Sequence, residues 1–265
     1  MIPNNYIDEW RLSHRWTQDE FVEQDFILSK ILVDLYANDI ISNALLFRGG
    51  TALHKLFLPK AYRYSEDLDF VQRRNEGIGP VLEEIQKIIV RTIPGKAKWM
   101  MHQGRVALIY RYEAENPPHP KMKIKIEINT REHFCLAKIQ EKPFECRSSW
   151  FSGKSIIQTY TLEELLATKL RALYQRRKGR DLFDLWITRE LSVDAHAIVS
   201  MFKEYMIREN NNVEAEQFMS NLQEKCNHPL FQVDIKPLID SNINYSVANA
   251  SEYVLETFLP HWDAT

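Results

Sequence analysis

The sequence predicts an α+β protein: a mixed sheet flanked by helices, followed by a helical C-terminal part. Three observations carry this reading. A long helical pattern precedes a strand-rich stretch that ends near residue 159. From Thr161 onward, capping signals and helical periodicity take over. Between them, KMKIKIEIN at 121–129 alternates strictly between apolar and polar residues, the period of a half-buried strand. The expected division is a core at residues 1–159 and a helical domain at 160–265, with no Pro/Gly/Ser linker between them.

Each element has its own signal. Thr17-Gln-Asp-Glu20 has capping-box spacing and opens a helix to about Asn38, with Phe21, Leu28, Ile31, Leu32 and Leu35 on its apolar face. Ala44–Phe47 reads as a short buried strand, Gly49-Gly50 as a tight turn, and Thr51–Phe57 as a brief helix stopped by Pro59. Asp67–Gln72 is the next strand. Ile78–Ile93 is an amphipathic helix ended by Pro94-Gly95. Trp99–His102 and Val106–Tyr112 are strands joined at Gln103-Gly104, and strand-like sequence returns near Ser155–Thr159. Thr161-Leu-Glu-Glu164 is a second capping box, and helices follow at about 162–176, 181–189, 194–209, 213–225 and 247–258.

Composition narrows the class. Of 265 residues, 45% are hydrophobic and 26% charged, as in ordinary globular proteins. No apolar run is long enough to span a bilayer, and MIPNNYIDEW lacks the pattern of a signal peptide. Three widely spaced cysteines argue against a disulfide framework and fit a reducing, cytoplasmic setting. The net charge of −2 means that a nucleic-acid partner must meet local patches. Candidates are Arg73-Arg74, Lys96 with Lys98, Lys121 with Lys123 and Lys125, and Arg176-Arg177-Lys178 with Arg180; each is otherwise a solvated surface.

Five places can carry chemistry. Asp67 and Asp69 are two apart on a strand, so both carboxylates share one face. Such a pair can hold divalent metal for phosphoryl transfer, and Mg²⁺ suits a site of few carboxylates, water and substrate phosphates. Otherwise the pair is a solvated strand end. Gly49-Gly50-Thr51 can bring backbone N–H groups and a hydroxyl to an anion, or be a plain strand–helix turn. Glu127, on the polar face of the alternating strand, can supply a third carboxylate or take a proton from an attacking hydroxyl. It can equally pair with Lys123 or Lys125. Lys169 falls within the apolar face set by Leu162, Leu165, Leu166 and Leu173, so it either snorkels or aims at a buried anion such as a triphosphate. Around Gly179, which breaks the helix, Asp181 can cap the next helix, Asp184 follows one turn later, and Arg180 can pair with either.

Together these segments resemble the AbiEii/AbiGii nucleotidyltransferase toxin family. The matching pieces are Phe47-Arg-Gly-Gly-Thr-Ala-Leu-His-Lys55, Arg63-Tyr-Ser-Glu-Asp-Leu-Asp-Phe70, Glu127 in its strand, Glu164-Leu-Leu-Ala-Thr-Lys-Leu-Arg-Ala-Leu173 and Arg180-Asp-Leu-Phe-Asp-Leu-Trp186. The resemblance implies a DNA-polymerase-β-like nucleotidyltransferase core that moves NMP from an NTP to an acceptor hydroxyl. It implies that Gly50 and Thr51 hold phosphates, that Asp67 and Asp69 bind Mg²⁺, that Lys169 meets the triphosphate and that Asp181 completes the site, beside which Glu127, read from its strand, is the candidate third metal ligand. Gly49, Ser65 and Arg180, inside matching segments, join the nucleotide-binding set. The helical half is thereby expected to contribute to the strand half's chemistry.

The family further implies a toxin paired with a separate antitoxin, often in phage defence, with some members acting on the acceptor end of tRNA; the dispersed basic patches favour RNA, tRNA first, as acceptor, with protein hydroxyls the alternative. One departure stands out: Thr51 follows Gly50 where the wider superfamily has serine, which keeps the hydroxyl. The rival readings are a metal-dependent nuclease and a nucleotide-binding protein without catalysis. Residues 190–265 match no motif.

Overall fold

Alternation decides the centre of the molecule. In β-structure, residues two apart share a face, so Leu68 and Phe70 are buried while Asp67 and Asp69 stand on the other side; Ile124, Ile126 and Ile128 repeat the pattern against Lys125 and Glu127. A computed structural model describes residues 2–14, 16, 18–240 and 242–262. Two compact units form: residues 1–135 with 139–159, and residues 136–138 with 160–265.

The first unit contains α1 (Asn4–Arg11), α2 (Asp19–Tyr36), α3 (Asp39–Ala44), β1 (Leu45–Arg48), α4 (Gly49–Leu56), β2 (Asp67–Gln72) and α5 (Gly79–Ile89). It continues with β3 (Lys98–His102), β4 (Arg105–Glu113), β5 (Lys121–Asn129), β6 (Gln140–Arg147) and β7 (Ser152–Thr159). The seven strands make one mixed sheet in the order β3-β4-β5-β2-β1-β7-β6. β2 runs antiparallel to β1 and parallel to β5. The apolar face is covered by α2, whose Phe26, Leu28, Ile31, Leu32 and Leu35 are fully buried, with α5 beside it. Burying such side chains contributes about 1.5–3 kcal/mol each, which makes this face the core.

Several expectations shift by a few residues, and two change in substance. Thr17 lies outside the described residues, and α2 begins at Asp19 with Gln18 as an N-cap that makes no side-chain bond. Gly49-Gly50 is not a separate turn, because α4 starts at Gly49 directly from β1. α1, α3 and β6 join the elements read from sequence.

In the second unit, α6 (Leu162–Gln175), α7 (Gly179–Trp186), α8 (Ala195–Ile207), α9 (Ala215–Cys226), α10 (Pro229–Val233) and α11 (Val247–Phe258) surround Phe202, Phe218 and Trp262, whose rings lie within 4.9–5.8 Å of one another. Thr161 caps α6 by accepting from the Glu164 N–H at 3.1 Å. The expected return half of that box is absent. Glu164, fully buried, instead accepts from the N–H groups of Leu136 (2.7 Å) and Ala137 (3.1 Å) and from the Tyr205 hydroxyl (2.7 Å). A buried carboxylate needs such donors, and a passing segment offers more of them than one helix end does. No helix among the described residues is long and apolar enough to cross a membrane.

Candidate active site

The sheet register gathers the acidic residues. On β2, Asp67 stands opposite Lys125 of β5, and Asp69 stands between Arg48 of β1 and Glu127 of β5. All five side chains share the face opposite the core, since residues paired across strands point the same way. The turn from β1 into α4 closes on this patch. Gly49 has φ +82°, in the left-handed region, and a Cβ there would sit 2.6 Å from Asp69 Oδ2. Only glycine allows that backbone so close to the carboxylate. Thr51 is buried; its hydroxyl donates to the Asp67 carbonyl at 2.6 Å and lies 2.5 Å from Ser65 Oγ. With its one proton on Asp67, Thr51 takes its second bond from Ser65. This pair therefore fixes the entry into β2 and the position of Asp67.

The charges are unevenly compensated. Burial pushes the Asp67 carboxyl up to about 6, and the neighbouring Asp69 charge adds to it, against the pull of Lys125. Glu127 behaves oppositely. Burial raises it, but Lys125 and Arg105 outweigh that and hold it below the usual range. Its Oε1 is 3.3 Å from Arg105 Nη1, and its Oε2 contacts Lys125 Nζ. Arg48 is held by Glu132 at 2.8 Å. Two carboxylates on one strand, repelling one another where the Gly49 backbone packs against Asp69, are a donor set that fits a hard divalent cation. Among the described residues no three acidic, histidine or cysteine side chains converge to hold a metal, so Glu127 as a ligand requires release from its two cations.

The second unit holds the other expected residues in a closed network. Lys169 is indeed aimed at buried anions, but they are Asp181 (3.1 Å) and Asp184 (2.7 Å). Arg176 adds Nε at 2.6 Å and Nη2 at 2.8 Å to the Asp181 carboxylate. Burial raises Asp181, yet Lys169 and Arg176 outweigh it and keep it ionised below the ordinary range. Asp181 does not cap α7; the N-cap is Lys178. Arg180 pairs with neither aspartate on its own helix, and its Nε lies 3.7 Å from Asp234. Gly179 opens α7, where a Cβ would meet the Phe231 carbonyl oxygen at 2.2 Å, so its role is close packing.

Of the two cations on Glu127, Lys125 was an expected partner and Arg105 was not. Lys125 was legible, because alternation places it two before Glu127 on the same face. Arg105 needed the β4–β5 register, which pairs Ala107 with Glu127. Lys55, inside the glycine-turn segment, is held by Asp25 and Ser29 on α2 at 2.8 Å each, so it anchors α4.

Solved structures share the fold. MenT4, a nucleotidyltransferase toxin from Mycobacterium tuberculosis, superposes with a TM-score of 0.72 at 18% identity, covering 100% of this chain and 91% of its own. An H. pylori protein assigned as a nucleotidyltransferase gives 0.50 at 16% identity, over 93% of this chain and 96% of its own. At such identities the likeness speaks for the fold. No curated protein sequence matches. The family model of the AbiEii nucleotidyl transferase toxins of type IV toxin–antitoxin systems spans residues 30–253, and the chain belongs to that family.

Proposed function

We propose that this nucleotidyltransferase toxin uses Asp67 and Asp69 with Mg²⁺ to move NMP from an NTP to an acceptor hydroxyl on RNA, with tRNA the favoured acceptor. The carrying observation is the aspartate pair on one face of β2, with Gly49 packed against Asp69. A divalent ion held there, with Glu127 as a further ligand, would offset charge developing on the phosphoryl oxygens. The acceptor oxygen forms a bond to the α-phosphorus, the bond from that phosphorus to the β-phosphate oxygen breaks, and pyrophosphate leaves. The hydroxyl proton passes to a carboxylate; Glu127 is the candidate acceptor where it does not itself ligate the ion, once freed from Lys125 and Arg105, which hold it below the usual range and make it a weaker base. The N–H groups opening α4 at Gly49, Gly50 and Thr51 suit the leaving phosphates, and Ser65 orders Thr51.

Lys169, Asp181 and Arg180 stay in the proposal as nucleotide-side residues on the family resemblance. Their ion pairs within the helical unit support an organising role there. A cognate antitoxin, a cytoplasmic setting and a place in phage defence complete the reading. Asp69→Ala is expected to abolish transfer and relieve growth arrest in expressing cells while the protein keeps its circular dichroism spectrum. Toxicity persisting in that folded variant contradicts the proposal. Shortened rather than labelled RNA would favour a nuclease, and NTP binding without turnover a non-catalytic binder.

A further inference from the structure

The face that carries the aspartates continues along β4 and β5, and its charge changes sign. Arg111 on β4 stands directly opposite Lys123 on β5, with Lys121 two residues before it, and all three are exposed. Like charges facing each other across two strands are destabilising. Lys125 and Arg105 resolve their charge on Glu127. Among the described residues, Arg111, Lys121 and Lys123 make no ion pair; Glu113, opposite Lys121, and Glu66 mark the two ends of the stretch.

These cations rim a cleft of about 330 Å³. Its wall is apolar and comes from the core side, meeting the cations where the β2–β5 pairing ends at Asp67: Phe21 of α2 stacks on Tyr64 with centroids 4.1 Å apart and planes 8° from parallel, and Met122 lies beside them. Gln24 fixes the cleft's floor, donating to the carbonyls of Glu66 (3.2 Å) and Lys123 (3.0 Å). Glu66 immediately precedes Asp67, and Lys123 is two residues from the partner of Asp67, roughly 7 Å along the strand.

We propose that this cleft is the acceptor subsite for a single-stranded RNA end. Arg111, Lys121 and Lys123 take backbone phosphates, and one unstacked base lies against Phe21. Cations tracking a backbone beside an aromatic platform are how single strands are held without duplex geometry. A terminal hydroxyl at the aspartates then places the preceding nucleotide over Lys123 and Arg111. A duplex, with its bases already stacked, has none to offer the ring.

The inference rests on the transferase reading, and its test is made in the Asp69→Ala background so that it reads binding alone. Fluorescence anisotropy follows a short labelled single-stranded RNA and the same sequence as a duplex. Each phosphate contact contributes about −0.7 to the slope of log affinity against log salt, so removing three flattens it by about 2. Between about 50 and about 200 mM salt, the parent should weaken roughly 20-fold more than R111Q/K121Q/K123Q, whose changes are all on exposed side chains. Phe21→Ala should weaken single-strand binding by about 5- to 150-fold and leave duplex binding unchanged. An unchanged salt slope in the triple variant, or equal loss for duplex and single strand in Phe21→Ala, overturns the subsite. Absence of transfer in the active protein would bear on the reaction instead.

Discussion

Replacing Gly49 by alanine isolates the link between the glycine turn and the aspartate pair. The added methyl carries two costs. At φ +82° an L-residue is disfavoured by roughly 1–2 kcal/mol. The new Cβ would also lie 2.6 Å from Asp69 Oδ2, so the carboxylate must retreat by roughly 0.8 Å to reach ordinary contact. A displacement of about 1 Å in a positioned group can lower turnover about 10²-fold. Gly49→Ala is therefore expected to lose about 10²-fold in kcat for pyrophosphate release and about 1–2 kcal/mol in urea unfolding. Gly104→Ala is the control. Its φ is +75°, and its Cβ would meet Arg131 Cβ at 2.9 Å, in the β3–β4 turn. It should lose comparable stability and keep wild-type turnover. Wild-type kcat in Gly49→Ala, or an equal loss in Gly104→Ala, would refute the claim that Gly49 positions Asp69.

Other outcomes follow from the same charges. Asp67 is raised from 3.8 to about 6, so the folded state holds its proton more tightly than the unfolded chain. The associated stability is full below pH 3.8 and is lost as pH rises through about 6. It amounts to at most about 3 kcal/mol, read as the wild-type minus Asp67→Asn difference in urea titrations across that window. Mg²⁺ should raise the melting temperature more at about pH 7.5 than at about pH 5, because protonated Asp67 competes with the ion, and Asp69→Asn should abolish the shift. Lys169→Met leaves two fully buried aspartates short of a cation and should cost about 3–5 kcal/mol in urea unfolding, whereas a lysine serving only substrate would leave stability unchanged. Glu127→Gln should slow transfer while retaining the Mg²⁺-induced thermal shift if Glu127 acts on the proton, and lose that shift if it is a required ligand.

Strand identity was legible where alternation was strict. Lys121–Asn129 emerges with the bounds the sequence implies, because one of its faces is wholly apolar, and Asp67–Gln72 does so although Gln72 ends the face that Leu68 and Phe70 begin. β6 escaped because QEKPFECR carries Pro143 and is largely exposed, as an edge strand can be. The aspartate pair was visible as local spacing, whereas Gly49-Gly50, which reads as a tight turn, opens α4 instead. The fate of Lys169 was half visible: helical periodicity buried it, but its partners lie beyond a chain reversal at residues 176–178, outside the reach of any i, i+4 argument. Glu127 shows the same limit. Its pairing with Lys125 follows from alternation, while its contact with Arg105 depends on a cross-strand register that no single strand encodes.

The central claim is that Asp67 and Asp69 support metal-dependent transfer of a nucleotide to RNA. Incubating the protein with each of four α-labelled NTPs and total RNA, with Mg²⁺ or with EDTA, tests it most directly. Label should enter RNA with at least one NTP in Mg²⁺, and with none in EDTA or with Asp69→Ala. Label incorporated by Asp69→Ala, or RNA that is shortened and never labelled, would contradict it.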